Sequence, residues 1–142
     1  MTRFQKLTIA TTASTVLLVA VGGLVRATGS GFGCPHWPTC FGKWIPPLQY
    51  HAVIEYSHRL LATVVVILVS LQAFVAWRRF RRVRQILRPA LAALVLVFFQ
   101  AALGGFVVEG GLRATLVAAH FATAMALLGV LTTITANSFC FV

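Results

Sequence analysis

Three ionisable residues stand within or beside apolar stretches of this sequence: Glu55, His58 and His120. Ionisable residues inside long apolar segments are costly to bury and are candidates for function by default. Glu55 precedes His58 by three residues, a spacing that places both side chains on one face of a helix. Paired imidazoles can ligate a metal ion, and a carboxylate one turn away can move protons or stabilise positive charge. These residues are therefore the first candidates for a functional site.

Four apolar runs must position these residues. The chain has 142 residues, of which 59% are hydrophobic and 10% are charged, whereas a soluble domain carries about 25% charged residues. Runs of about 20 apolar residues cross a membrane as helices, because every backbone group must be paired inside lipid. We therefore predict an all-α integral membrane protein, an antiparallel four-helix bundle that forms one domain over residues 1–142. The predicted helices cover residues 7–25, 53–77, 89–108 and 112–136.

The distribution of positive charge predicts how the bundle is oriented. Six arginines lie in or beside the predicted loop 78–88, between the second and third runs. Under the positive-inside rule this loop faces the cytoplasm, together with both termini, and the loop 26–52 faces the outside. The first run follows Arg3 and Lys6, and we expect it to be retained rather than cleaved as a signal peptide. The net charge of +10 is explained by this clustering, so membrane lipid is the expected partner and nucleic acid is not.

The chain also contains a faint internal repeat of two helical hairpins. The glycine pair 22–23 ends the first predicted helix, and the glycine pair 104–105 ends the third. Each pair is followed by an outer segment and then by a helix with a histidine near its start, His58 or His120. The glycines allow either close helix packing or the close approach of a flat ligand. Because the second and fourth helices run in the same direction, we expect the two histidines at similar depth near the outer surface.

Two histidines at one depth on neighbouring helices can ligate an iron porphyrin from its two faces. The alternative is that each histidine only hydrogen-bonds a neighbouring helix, and the repeat favours haem ligation. Three interpretations of Glu55 stay open. It can move protons or stabilise charge at the edge of the ring, form an ion pair with Arg59, or face water at the helix start, where the macrodipole favours a carboxylate.

Two cysteines, Cys34 and Cys40, stand in the loop predicted to face the outside. On the oxidising side of a membrane we expect a disulfide between them, which is either structural or redox-active. A zinc site that also uses His36 is less favoured, because the spacing fits no standard zinc pattern. His51 is also assigned to this loop. Cys140, near the inner end, is expected to be a free thiol.

Four motifs together resemble the N-terminal half of the haem A synthase family, membrane enzymes that oxidise haem O to haem A. They are Gly22-Gly23-Leu24-Val25-Arg26 leading into Thr28-Gly29-Ser30-Gly31, the loop from Gly33-Cys34 through Trp37-Pro38 to Cys40, the segment Glu55-Tyr56-Ser57-His58-Arg59-Leu60, and His120. These motifs span most of the chain. The Glu-x-x-His-Arg element with the upstream cysteine pair is their most specific part.

The resemblance implies that His58 and His120 are axial ligands of haem and that Glu55 is the catalytic carboxylate. The implied reaction is oxidation of the C8 methyl group of haem O to a formyl group, with oxygen from water, in haem A biosynthesis for terminal oxidases. The bound haem would be the substrate haem O, a haem b cofactor or both. Cys34 and Cys40 would be the cysteine pair that bacterial members often carry. The implied location is a bacterial or archaeal cell membrane, with haem O synthase as a partner.

The chain departs from typical members of that family, which have eight helices in two four-helix halves. Half-size members would have to self-associate, so the resemblance implies either a homo-oligomer or a half that binds haem without oxidising it. Three other classes stay open: a b-type cytochrome subunit that only passes electrons, a haem-carrying assembly protein, and a structural four-helix membrane protein. The cytochrome would need the histidines but neither Glu55 nor the cysteine pair.

Overall fold

The computed structural model describes residues 1–142 and contains four long helices. They are α1 (Arg3–Ala27), α2 (Tyr50–Arg79), α3 (Arg84–Glu109) and α4 (Ala114–Phe141), with a single 3-10 turn at Ser30–Phe32. Each has at least 25 residues and is long and apolar enough to cross a membrane. At a rise of about 1.5 Å per residue, each exceeds the roughly 30 Å of a hydrocarbon core. The prediction of an all-α bundle of four membrane-spanning helices is confirmed.

Helices α1, α2 and α3 are longer than the apolar runs that predicted them, and α1 spans Arg3–Ala27 instead of residues 7–25. α2 begins at Tyr50 instead of residue 53, so His51 lies in its first turn and not in the loop. α3 begins at Arg84, and the predicted loop 78–88 shrinks to a turn at residues 80–83. The physical reason is that hydropathy marks only the segment inside hydrocarbon. A helix continues into the interface, where arginine and tyrosine are favourable.

Helix α4 begins and ends later than its apolar run. Gly111 and Leu112 have positive φ angles of 72° and 54°, which the right-handed helix does not allow, so α4 starts at Ala114 instead of residue 112. At its other end α4 continues to Phe141 instead of ending at residue 136. Cys140 therefore lies in the last turn, where it is exposed and unpaired. The expectation of a free thiol is confirmed.

The four helices form a closed antiparallel ring, in which α1 and α3 each contact both α2 and α4. Nε2 of Gln5, near the start of α1, donates to the backbone oxygen of Ser138 near the end of α4, at 3.0 Å. Nδ2 of Asn137 donates to the backbone oxygen of Gln85 at the start of α3, at 2.8 Å. Both termini and the α2–α3 turn thus share one end, called here the arginine end. The loop between α1 and α2 lies at the opposite end, the loop end.

The apolar core occupies the half of the bundle nearer the arginine end. It consists of Phe4, Val65, Val69, Ala76, Ile86, Ala90, Ala93, Val97, Leu127, Leu131 and Ile134. The core residue nearest the loop end is Val65 on α2 and Leu127 on α4. His58 and His120 each precede that residue by seven positions, which is about 10 Å along the helix. The two histidines therefore lie beyond the core, at matched depth in the loop half of the bundle.

Candidate functional site

Each histidine packs against a glycine of the preceding helix. A Cβ placed on Gly22 of α1 would lie 3.1 Å from Cε1 of His58 on α2. A Cβ placed on Gly104 of α3 would lie 3.2 Å from Cε1 of His120 on α4. Both distances are shorter than ordinary van der Waals contact, so only glycine leaves room for the ring in its present position. The two hairpins therefore repeat one arrangement, as the repeat in the sequence predicts.

The rings of the two histidines are incompletely hydrogen-bonded. The Nδ1 atom of each ring is buried without a hydrogen-bond partner, an arrangement that typically costs about 1–3 kcal/mol. The interpretation that each histidine is held by a hydrogen bond to a neighbouring helix does not fit His58, whose position is set by packing on Gly22.

These features fit two-sided ligation of a haem. An axial imidazole coordinates iron through one ring nitrogen and needs a fixed ring plane. Here each ring packs on a glycine, which limits the positions that the ring can take. The two rings lie at one depth, in the half of the bundle that the apolar core does not occupy. His58 and His120 are therefore the candidates to hold a haem iron.

Glu55 is buried one helical turn from His58, toward the loop end. Only 5% of the residue is exposed, which excludes the interpretation that it faces water. Its Oε1 accepts a hydrogen bond from Nε of Arg59 at 3.0 Å, so the ion pair is present. A buried ion pair is costly unless further hydrogen bonds satisfy its polar groups. The carboxylate shares a helix face with His58 and is directed by one guanidinium.

Arg59 finds its further hydrogen bonds in the loop between α1 and α2. Its Nη1 atom donates to the backbone oxygens of His36 at 2.7 Å and Thr39 at 3.1 Å. Its Nη2 atom donates to the backbone oxygen of Cys34 at 2.8 Å. Together with Glu55, the guanidinium thus has four acceptors. Charge-assisted bonds of this kind are about twice as strong as neutral ones.

The loop is closed by a disulfide between Cys34 and Cys40, which confirms the expected pairing. Both cysteines are buried. The backbone of Gly33 packs directly on the backbone oxygen of His51 in the first turn of α2, leaving no room for a Cβ. Residues 34–40 are called here the disulfide ring. This ring lies on the loop end of α2, next to Glu55 and Arg59.

The zinc interpretation of this loop is wrong. Cys34 and Cys40 bond to each other, and a disulfide sulfur is not the thiolate that zinc requires. The side chain of His36 is exposed, and no cluster of three or more metal-ligating side chains exists in the structure. His51 has a structural contact instead, since its Nδ1 lies 2.9 Å from Oγ of Ser30.

His120 has polar neighbours that His58 lacks. Nε2 of Gln100 on α3 donates to the backbone oxygen of His120 at 2.8 Å and lies 3.4 Å from the ring Nε2. The hydroxyl of Thr123 donates to Oε1 of Gln100. The backbone oxygen of His120 can only accept, so its bond with Nε2 of Gln100 fixes which side of the amide faces His120. The second histidine is therefore supported by a side-chain pair as well as by its glycine.

The disulfide ring also reaches the second hairpin. Ring atoms of Trp37 would lie 3.1–3.3 Å from a Cβ on Gly105, so the indole covers the second glycine of that pair. A shallow cavity beside it is lined by Trp37, Ala102, Gly105, Phe106 and Glu109. In the first hairpin the corresponding glycine, Gly23, has no atom within 4 Å of a Cβ position. The disulfide ring thus contacts both hairpins at the loop end.

The sequence predicts Glu55, His58 and His120 as candidates but not the contacts of three supporting residues, Gln100, Arg59 and Trp37. Gln100 was detectable as a lone amide in an apolar run, one turn before Gly104. For Arg59 only the ion pair with Glu55 was predictable. The loop has no periodic pattern that would indicate where the backbone oxygens of the loop point. The contact of Trp37 with the second hairpin carried no sequence signal.

Together these features define a class: a multi-pass helical-bundle membrane protein whose paired histidines lie under a disulfide-closed loop. The chain belongs to the COX15-CtaA family, described as cytochrome oxidase assembly protein, whose model matches residues 5–53 and 48–140. This match includes every residue of the site described above.

Curated relatives of this chain carry the name Heme A synthase. The chain is 34% identical to that of Alkalihalophilus pseudofirmus over 121 residues, covering 84% of this chain and 41% of the relative. It is 38% identical to that of Shouchella clausii over 119 residues, covering 82% and 40%. It is 37% identical to that of Bacillus cereus strain AH187 over 124 residues, covering 85% and 40%. The chain thus spans about two fifths of the length of these relatives.

Proposed function

We propose that this chain binds haem O between His58 and His120 and oxidises its C8 methyl group to the formyl group of haem A. The observation that carries the proposal is the repeated glycine–histidine contact. It presents two imidazoles with unpartnered Nδ1 atoms at one depth. The buried carboxylate of Glu55 stands one turn away. The reaction itself is suggested by relatives named Heme A synthase.

Each side chain has a distinct role in this proposal. His58 and His120 hold the iron of the substrate from its two faces and so fix the position of the porphyrin edge. Glu55 stabilises the positive charge that develops when electrons leave the methyl carbon, or it accepts a proton from the attacking water. Glu55 is buried and is linked to the disulfide ring through Arg59, and a carboxylate fixed away from bulk water is more effective. The electrons require an external acceptor.

The length of the relatives suggests that two bundles take part. The chain corresponds to about two fifths of each relative. Activity without the remaining part of such a relative is therefore itself a proposal. A second copy would supply a second pair of histidines for a haem b cofactor. We therefore propose a homo-oligomer as the active form. Haem O synthase, which would deliver the substrate, is the expected partner.

The proposal is tested by extracting pigment from the protein after expression in cells that make haem O. The extracted haems are separated by chromatography. We expect haem A from the unchanged chain and haem O without haem A from Glu55→Gln, because losing a general base or charge-stabilising group typically costs about 10²–10⁴-fold in rate. Glu109→Gln is the matched control, since it removes the only other acidic side chain, which is exposed.

Each other outcome identifies a different function. Haem B or haem O alone from the unchanged chain indicates a haem-carrying half or an electron-transfer subunit. A colourless protein indicates a structural bundle. Haem A from Glu55→Gln at the unchanged level contradicts the catalytic role of the carboxylate while leaving haem oxidation in place.

We also propose that the arginine end faces the cytoplasm of a bacterial or archaeal cell and that the disulfide ring faces outside. The clustering of arginines at the end that carries both termini supports this orientation. The ring holds a disulfide, which persists on the oxidising side.

Cys140 provides a direct test of that orientation, because it is the only free cysteine and is exposed at the arginine end. A membrane-impermeant maleimide should label it in inside-out vesicles and leave it unlabelled in intact cells. Labelling in intact cells would reverse the orientation. Cys140→Ser is the control for background labelling.

A further inference from the structure

Arg59 connects two parts of the site that have no other polar contact in common. Its Nε–H group is directed to the carboxylate of Glu55. Its Nη1 and Nη2 atoms donate to three backbone oxygens, and all three belong to the disulfide ring. One side chain therefore joins the buried carboxylate to a covalently closed segment.

The geometry of a guanidinium makes this connection rigid. Its five N–H donors lie in one plane at fixed angles. When the Nη atoms are held by the oxygens of Cys34, His36 and Thr39, the direction of the Nε–H bond is also set. The carboxylate of Glu55 follows that direction, because Nε is its only side-chain donor in the structure.

The disulfide in turn fixes the three oxygens. Only six positions separate Cys34 from Cys40, and cross-linking the two ends of a segment restricts the conformations that it can adopt. The closed ring therefore presents its backbone oxygens to Arg59 with little further loss of entropy. A segment opened at the disulfide would have to be ordered by the guanidinium alone.

We propose that Arg59 is a positioning residue through which closure of the disulfide ring fixes the carboxylate of Glu55. An external dithiol would reduce the Cys34–Cys40 bond to two thiols and itself become a disulfide, and Glu55 would then lose its fixed position. The inference rests on the proposed function only for the catalytic consequence of that change. The coupling itself is a property of the chain without any ligand.

The small number of acids in this chain allows a direct measurement. The sequence has two acidic side chains, Glu55 and Glu109. In Glu109→Gln protein labelled with ¹³C-glutamate, the isotope-shifted carboxylate band in the infrared spectrum reports Glu55 alone. We expect this band to shift or broaden when the disulfide is reduced with dithiothreitol. The amide bands of the same sample show whether the helices stay intact.

Arg59→Lys, made in the same background, separates geometry from charge. Lysine keeps the positive charge but lacks the planar donors that reach both partners. We expect its Glu55 band to resemble that of the reduced protein already and to respond little to dithiothreitol. An unchanged Glu55 band on reduction of the Arg59 protein would overturn the proposal. An equal response in Arg59→Lys would overturn it as well.

The rate of disulfide reduction tests the contact between Arg59 and the disulfide ring, because the bonds of Arg59 to the ring must loosen before a dithiol reaches the buried sulfurs. Arg59→Lys should be reduced roughly tenfold faster, since releasing one charge-assisted bond of about 1.4 kcal/mol corresponds to tenfold. Glu55→Gln should stay within about twofold, because the three bonds of Arg59 to the ring remain. Arg113→Lys, an exposed arginine before α4, is the control. A wild-type reduction rate in Arg59→Lys contradicts the proposal.

These measurements use the protein without haem, so they are independent of haem oxidation. A band shift on reduction together with no haem A production would retain the coupling and reject the proposed function. Haem A production that is unaffected by Arg59→Lys, with no band shift, would reject the coupling and retain the function.

Discussion

The two hairpins of the bundle share their histidines and differ in almost everything around them. In α1–α2 the ring of His58 packs on Gly22, and in α3–α4 the ring of His120 packs on Gly104, at nearly equal distances. Three residues before each histidine the first hairpin has Glu55 and the second has Val117. One residue after each histidine the first has Arg59 and the second has Phe121.

On α1 and α3, the helices that carry the contacting glycines, it is the second hairpin that has the additional polar side chain. Four residues before the contacting glycine, the second hairpin has Gln100 and the first has Leu18. The side chain of Gln100 donates to the backbone oxygen of His120 and accepts a hydrogen bond from the hydroxyl of Thr123. Under the proposed function, the shared glycine and histidine are the features that ligation needs. The features that are not shared would then divide the remaining tasks, with a charged group for chemistry in one hairpin and a neutral support in the other.

Removing either histidine should give the largest effect on haem binding. His58→Ala and His120→Ala should each weaken haem binding roughly 100-fold or more, since a loss of about 2.7 kcal/mol corresponds to that factor. Each variant should also convert a six-coordinate low-spin spectrum into a five-coordinate one. Haem titration followed by absorption and electron paramagnetic resonance measures both. A variant that keeps the low-spin spectrum would show that its histidine is not a ligand.

Replacing the contacting glycines should have an intermediate effect that is equal in the two hairpins. Gly22→Ala and Gly104→Ala place a methyl group against His58 or His120 at about 3.1–3.2 Å. Overpacking typically costs about 1–3 kcal/mol, so we expect roughly tenfold weaker haem binding in each. Gly23→Ala is the matched control, because nothing lies within 4 Å of its Cβ position. Binding as weak in the control as in Gly22→Ala would contradict the steric explanation.

Changing the Gln100–Thr123 pair should give the smallest effects and should alter only the second hairpin. Gln100→Leu installs the residue type that the first hairpin has at Leu18 and removes the bond to the oxygen of His120. We expect haem affinity to fall about three- to tenfold, since a hydrogen bond contributes about 1 kcal/mol. Thr123→Val should have a smaller effect of the same sign, measured by the same titration. Unchanged affinity in both variants would mean that Gly104 alone positions His120.

Much of the fold was predictable because one physical variable decides it. Four apolar runs in a chain with few charges require four spanning helices, and the arginines mark the turn between α2 and α3. The ends of the helices were not predictable from hydropathy. At Tyr50 and Arg84 a helix continues past the hydrocarbon, and at Leu112 a positive φ angle delays the next helix.

The candidate site was predictable where spacing along a helix determines position. The separation of Glu55 and His58 by three residues, and the place of each histidine after a glycine pair, needed only helix geometry. The contacts of Arg59 depend on backbone oxygens in an irregular loop, which no periodicity describes. The support from Gln100 depends on the rotation of α3 relative to α4, which a repeat in sequence does not specify.

The separation between the apolar core and the histidines has a consequence for how the protein matures. The core near the arginine end is complete without the residues of the site. The core can therefore form before any ligand is bound. Under the proposed function, haem loading would be a late step in biogenesis, and turnover would not require the membrane-embedded framework to come apart.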